Sequence, residues 1–225
     1  MPFPIVYPKQ DGPGRLLELC TFRKSSLPDK EWNEIFYDTT GISLTFPISR
    51  QSLYASQIED PQIAVLIADW TSAEEKDIFE PSERYQSIKP AFGKLIDTTN
   101  PSFTCHHLIL PGAAKTPASP FLSASHIRIP AKKQDAAAVA FEEYLSSGTA
   151  LDGLEYLVVA PSREDANTIV CIVGTRDPEA AKAVGATLEH DKLKDALDAL
   201  KESGSKYMAK VISAKDANPQ ALPAP

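Results

Sequence analysis

The chain has 225 residues, of which 43% are hydrophobic, and its formal net charge at pH 7 is −7. This length fits one large domain or two domains of about 100 residues, and an acidic chain without a clustered basic face excludes a nucleic-acid partner. No apolar run approaches the roughly 20 residues of a membrane helix. The N-terminal segment lacks the basic and long apolar regions of a signal peptide, so we expect a cytoplasmic protein.

Residues 1–112 contain the pattern of one β-α-β-β-α-β unit behind an irregular, proline-rich arm over residues 1–14. Apolar runs and apolar residues at helical spacing identify its elements. The long second helix contains Pro81 and Pro90, which predict that it is divided into two pieces. The predicted elements are a strand at 15–23, a helix at 29–40, strands at 52–59 and 62–70, a helix from 71 to about 97, and a strand at 102–110.

The same order of elements returns in residues 123–215, after a linker predicted at residues 113–122 from its prolines. The tail at 216–225 has three prolines and little that can pack, which predicts a mobile segment. The predicted elements of the second unit are strands at 125–129, 154–160, 168–175 and 207–213, a helix at 134–146, and a helix at 177–201 that is broken near 185–188.

The segment from Gln62 to Tyr85 carries a family resemblance. An apolar strand ends at Trp70, a Thr-Ser pair can cap the next helix, and two glutamates fill its first turn. This arrangement resembles the second half of a dimeric α/β-barrel module. That superfamily includes the antibiotic-biosynthesis monooxygenase domain and the stress-responsive barrel proteins.

The repeated β-α-β-β-α-β order is that of the ferredoxin-like unit. A four-stranded sheet with helices on one face leaves its other face in need of cover. In the resembled superfamily two such units pack sheet against sheet, usually as a homodimer. We therefore predict an α+β protein in which two ferredoxin-like units form one intramolecular dimeric α/β barrel. Because fusion keeps the halves at high effective concentration, we expect a monomer or a weak dimer.

Two adjacent histidines, His106 and His107, lie in the fourth strand and must point to opposite faces of the sheet. Which of them faces the barrel interior stays open. The first and fourth strands are neighbours in this topology, so Glu18 can reach one histidine, orient it and raise its pKa. A carboxylate–histidine pair in an apolar pocket can act as a general base. The alternatives are a buried polar pair that satisfies itself, or a solvent-facing Glu18.

The second unit offers His126 and Arg128 on one face of its first strand. Arg128 can hold a carboxylate or phenolate group of a substrate; the alternative is a salt bridge at the barrel rim. His190 lies in a charged helical run and is interpreted as solvated.

The resemblance implies that Trp70 lines a cavity, which Tyr54, Tyr85 and Trp32 can extend as substrate-binding residues. The alternative for these rings is aromatic packing in the core. In the haem-degrading branch a Trp at this point lies against haem, which a histidine on the following helix ligates. Residues 71–100 contain no histidine, so we expect no haem. Thr175 stands where the first unit has Trp70, so we expect the site in the first unit.

No other cofactor has a motif. The chain lacks Cys-x-x-Cys, His-Glu-x-x-His, a glycine-rich phosphate loop and a metal-spaced carboxylate cluster, so we expect no metal or flavin. The three cysteines, Cys20, Cys105 and Cys171, are each in a predicted strand, which indicates buried free thiols in a reducing compartment.

Two functions remain as hypotheses. The first is a cofactor-independent enzyme of secondary metabolism, of the cyclase, isomerase, decarboxylase or oxygenase type. It acts on an apolar aromatic or polyketide-like molecule by histidine-mediated proton transfer. The second is a non-catalytic small-molecule-binding or stress-responsive barrel protein, in which the histidines are structural.

Overall fold

The computed structural model describes residues 3–10, 12, 14–46, 48–99, 102–112, 119–147 and 153–216. Most of the predicted linker, residues 113–118, and the predicted mobile tail from residue 217 onward therefore lie outside the described residues.

Nine strands form one sheet within the described part of the chain, in the order β1-β7-β8-β6-β9-β3-β4-β2-β5. The strands are β1 (Ile5–Tyr7), β2 (Arg15–Arg23), β3 (Ser49–Gln57), β4 (Ile63–Trp70), β5 (Thr104–Leu110), β6 (Phe121–Arg128), β7 (Leu154–Pro161), β8 (Thr168–Thr175) and β9 (Ser203–Asp216). All neighbouring strands are antiparallel.

The sheet contains two ferredoxin-like sets of four strands, β3-β4-β2-β5 and β7-β8-β6-β9. They join where β9 pairs with β3. At the other end of the sheet the backbone amide of Arg163, just after β7, donates to the carbonyl of His107 in β5 at 2.9 Å. The sheet therefore curls into the predicted single-chain dimeric α/β barrel.

The barrel interior is one apolar core shared by eight strands. Alternate residues of each strand point inward, as the two-residue period of a strand requires. Leu17 and Leu19 of β2 meet Val170 and Ile172 of β8 in this core. The two halves thus cover each other's inner face.

Helices cover the outer face of the sheet. They are α1 (Asp29–Ser43), α2 (Ala73–Phe79), α3 (Glu83–Gln86), α4 (Lys89–Gly93), α5 (Gln134–Ser146), α6 (Pro178–Gly185) and α7 (Leu188–Leu200), with a 3₁₀ turn at Ala131–Lys133. Among the described helices, none is both long enough and apolar enough to cross a bilayer.

Several boundaries differ from the predicted ones. The arm at 1–14 contains β1, which pairs with β7, so it is not wholly irregular. β3 begins at Ser49 instead of 52, and β6 begins at Phe121, inside the predicted linker. The helical segment after Trp70 is divided into three short helices instead of the two predicted pieces, since prolines and turns interrupt it.

Candidate functional site

Glu18 and His107 lie directly opposite each other on β2 and β5, and both point to the helix-facing side of the sheet. The His107 Nε2 atom lies 3.6 Å from Glu18 Oε2. On its other side, His107 Nδ1 donates to Glu164 Oε1 at 2.6 Å. The structure therefore brings Glu18 to one of the two predicted histidines and adds a second carboxylate from the loop after β7.

The charged forms of Glu18, His107 and Glu164 stabilise one another. Burial favours neutral His107, but the hydrogen bonds and charges of the two carboxylates outweigh it and raise its pKa to about 9. Burial likewise opposes ionisation of Glu18, yet His107 and Lys76 lower its pKa to about 2. At neutral pH His107 is thus an imidazolium between two carboxylates, a state without a free lone pair for a general base.

Trp70 and Tyr85 frame the same group from the helix side. The Trp70 Nε1 atom donates to Glu18 Oε2 at 2.9 Å. The Lys76 Nζ atom lies 3.9 Å from that oxygen and 4.9 Å from the centre of the Tyr85 ring. A polar cleft of about 320 Å³ opens beside His107, Lys76 and Glu164.

Trp32 and Tyr54 take no part in this group. They are 2% and 3% exposed and pack with Phe36 between α1 and the sheet, with ring centres 5.5 Å apart. The Trp32 Nε1 atom donates to the carbonyl of Leu95 at 3.0 Å. Their environment is that of core aromatic residues, the alternative stated for them in the sequence analysis.

His106 faces the barrel interior because it lies one residue from His107 along β5. Its Nδ1 atom is 3.0 Å from the Ser162 hydroxyl oxygen. Its ring centre is 4.5 Å from that of His126, which lies 6.0 Å from the ring of Tyr207. Burial lowers the pKa of both histidines, to about 4 for His126.

Acid should therefore destabilise the barrel through His126. Its pKa is lower in the folded chain than in the unfolded chain, so stability is lost as pH falls from its ordinary value of about 6.5 towards 4. That contribution is at most about 3 kcal/mol. We expect His126→Leu to flatten this part of the pH dependence in urea unfolding between pH 7 and 4. Equal pH slopes in the variant and the original chain would contradict the expectation.

Arg128 lies at the rim of the barrel, at the end of β6. Its side chain is 47% exposed and pairs with Asp165 at 2.6 Å and Glu202 at 3.3 Å. It contacts neither of the two cavities described in this section. The structure therefore gives Arg128 the rim salt bridge that the sequence analysis left as an alternative.

The larger cavity, about 360 Å³, lies in the second half of the chain between the sheet and helices α5, α6 and α7. It lies in the half that the sequence analysis did not favour, and none of the predicted site residues lines it. Its volume is within the range of small-molecule pockets, about 300–1,000 Å³. Apolar side chains dominate its wall, among them Phe141, Leu157, Val173, Val184, Leu193 and Met208.

His190 lies in the wall of this cavity, in the first turn of α7. The Thr187 hydroxyl caps the helix by accepting from the His190 backbone amide at 3.1 Å. The imidazole is half-buried, and its Nδ1 atom has no hydrogen-bond partner among the described residues. Burial and then the charge of Lys206 lower the pKa of His190, so the imidazole is neutral at pH 7. The prediction of a solvated His190 is therefore wrong.

The cavity also has a cationic side. Lys194, Lys201 and Lys206 line it, and the first two pair with Asp198 at 3.8 Å and 2.5 Å. Lys206 has no ion-pair partner within the described residues, so its charge is available to an anionic ligand.

Searches of protein-family models and of curated proteins each found no match to the chain. Solved structures do match it along nearly their whole length. A proposed monooxygenase from Fusobacterium nucleatum superposes with a TM-score of 0.71 at 7% identity, covering 90% of this chain and 94% of that one. An anthrone oxidase-like protein gives a TM-score of 0.67 at 12% identity, covering 93% and 96%.

A proposed monooxygenase from Lactobacillus acidophilus gives a TM-score of 0.64 at 10% identity, covering 91% and 97%. At these identities the similarity concerns the fold. It confirms the predicted architecture, because proteins of this type have the dimeric α/β-barrel fold, and the coverage shows the same arrangement in chains of similar extent.

Proposed function

We propose that this chain is a cofactor-independent enzyme that binds an apolar phenol- or enol-bearing molecule in the cavity of its second half and removes a proton from it. The environment of His190 is the observation on which the proposal rests. His190 is a neutral imidazole with a buried nitrogen free of partners, and it lies in the wall of an apolar cavity.

The chemistry follows from these groups. The proton of an activated C–H or O–H bond passes to the free nitrogen of His190, and the substrate keeps the electron pair as an enolate or phenolate. Lys206 lies on the same cavity wall and stabilises the negative charge as it develops.

The names of the similar structures suggest the substrate class. One is described as anthrone oxidase-like. Anthrones are fused aromatic ketones with a phenolic tautomer, and loss of one proton gives a delocalised anion. A flat aromatic polyketide of this kind suits an apolar cavity with one base and one cation.

Ligand binding tests the location of the site. We expect a hydroxylated anthrone to bind and to raise the melting temperature of the protein. Ala181 lines the cavity, so Ala181→Trp should fill part of it and abolish binding. Ala183 is exposed on the same helix outside the cavity wall, so Ala183→Trp is the matched control and should bind normally.

Equal binding by the original chain and Ala181→Trp would place the ligand elsewhere. Haem belongs in the same ligand screen. In the haem-degrading branch of the resembled superfamily, the haem-ligating histidine is on the helix that follows the strand with the Trp. His190 is likewise on a helix that follows a strand, β8. A Soret band lost in Ala181→Trp would assign the cavity to haem and contradict the cofactor-free proposal. Binding of the anthrone without formation of its anion would favour the non-catalytic alternative.

A further inference from the structure

Four metal-binding side chains meet on the outer face of the first half, on two paired strands. Glu18 and Cys20 are two residues apart on β2, and Cys105 and His107 are two residues apart on β5. The register sets Glu18 opposite His107 and Cys20 opposite Cys105. Because side chains two apart share one face of a strand, all four project together.

The distances among three of these groups, Glu18, Cys105 and His107, fit one metal ion, and Cys20 lies beside two of the three. The donor atoms of Glu18, Cys105 and His107 all lie within 4.8 Å of one another. The Cys20 Sγ atom is 3.3 Å from Glu18 Oε1 and 2.9 Å from Cys105 Sγ. Tetrahedral zinc with bonds of 2.0–2.3 Å sets its ligand atoms about 3.5 Å apart. Small side-chain movements therefore bring all four donors into coordination.

We propose that Cys20, Cys105, His107 and Glu18 bind one Zn²⁺ ion that ties the edge strand β5 to β2. Thiolate, imidazole and carboxylate together are a ligand set of zinc, whereas magnesium and calcium take oxygen ligands. Four protein ligands leave no open position, which is the arrangement of a structural site.

The surroundings of the ligands support a metal site. His107 directs Nε2 towards the group, while its Nδ1 atom donates to Glu164 at 2.6 Å. A carboxylate behind a metal-binding histidine is a recurrent support that fixes the tautomer and the ring orientation. Trp70 holds Glu18 Oε2 at 2.9 Å, which leaves Oε1 on the side of the two sulfurs.

A buried cation also lies beside the four ligands. Two thiolates, one carboxylate and Zn²⁺ sum to a single negative charge. Lys76, which is 2% exposed, has its Nζ atom 3.9 Å from Glu18 Oε2 and supplies one positive charge. This site was not expected from the sequence, because its ligands come as Glu-x-Cys and Cys-x-His on segments more than 80 residues apart.

Metal titration tests the proposal on the full chain, purified under reducing conditions and stripped with a chelator. We expect one equivalent of Zn²⁺ to bind and to raise the melting temperature. With Co²⁺ as the probe, thiolate charge-transfer bands and the visible bands of tetrahedral cobalt should appear. Glu164→Gln should weaken zinc binding about 10- to 100-fold, and Cys105→Ser should weaken it further.

Cys171 is a buried free cysteine of the second half, outside the four-ligand group, so Cys171→Ser is the matched control and should bind zinc unchanged. Circular dichroism of each variant checks its fold. If Cys105→Ser does not fold, Glu164→Gln decides, since it keeps every ligand. Unchanged zinc affinity in Glu164→Gln and Cys105→Ser would overturn the proposal. So would the absence of a thiolate–cobalt band, or a Cys20–Cys105 disulfide that persists under reducing conditions.

Discussion

Asp69→Ala is expected to destabilise the fold by about 3–5 kcal/mol. Asp69 and Arg15 form an ion pair at 2.7 Å inside the barrel, where their side chains are only 1% and 2% exposed. Removing the carboxylate takes the anionic partner from a guanidinium group that stays buried in a low-dielectric site. Urea unfolding at neutral pH, followed by circular dichroism, measures the loss.

Two further variants serve as controls for this expectation. In Asp69→Leu with Arg15→Met neither charge remains, so most of the lost stability should return. Asp77 pairs with Arg163 at 2.8 Å on the surface, where the side chains are 51% and 38% exposed. Asp77→Ala should therefore cost about 1 kcal/mol or less. If Asp69→Ala also cost only about 1 kcal/mol of stability, the buried pair would not support the barrel.

The architecture could be predicted because its signals are local and repeated. The apolar periodicity of each half predicts the order β-α-β-β-α-β, and the bare face of each sheet needs a cover, which the sheet of the other half supplies. β1 could not be predicted, since a three-residue strand with prolines on either side carries no periodic signal. Its partners, residues 157–159 of β7, lie about 150 positions further along the chain.

The topology also gave part of the Glu18–His107 pairing. Once the first and fourth strands are known to be neighbours, Glu18 must lie near one histidine, and the register decides that it is His107. The direction of each face could not be read from the sequence, because both faces of β5 carry apolar residues. Only the structure therefore shows that His106 faces the barrel interior and that His107 faces the helices.

The cavity was missed for a related reason. Trp70 marked the first half, but there it donates to Glu18 and packs under α2 and α3. In the second half small residues, Ala181 and Gly185, line the cavity from α6. One signal in the sequence did exist. A break between two helices, followed by Thr187 three residues before His190, predicts a capped helix start with the imidazole in its first turn.

His190→Ala is expected to lower turnover of a bound substrate by about 10²–10⁴-fold, the usual contribution of a general base. Binding should be retained, because the apolar wall of the cavity is unchanged, so the loss should appear in kcat and not in KM. Imidazole added to the assay should restore part of the activity of His190→Ala. Stopped-flow absorbance of the substrate anion measures the proton transfer directly.

The pH dependence identifies the base. Since burial and Lys206 lower the pKa of His190, kcat/KM should rise with pH to a plateau, with its midpoint below the ordinary value of the imidazole. Lys206→Met removes one of these causes, so its midpoint should move upward while turnover falls with the loss of the anion's partner. Lys192→Ala, at an exposed position of the same helix outside the cavity wall, is the control and should leave both unchanged. A midpoint that stays the same in Lys206→Met, or full activity in His190→Ala, would assign the proton transfer to another group.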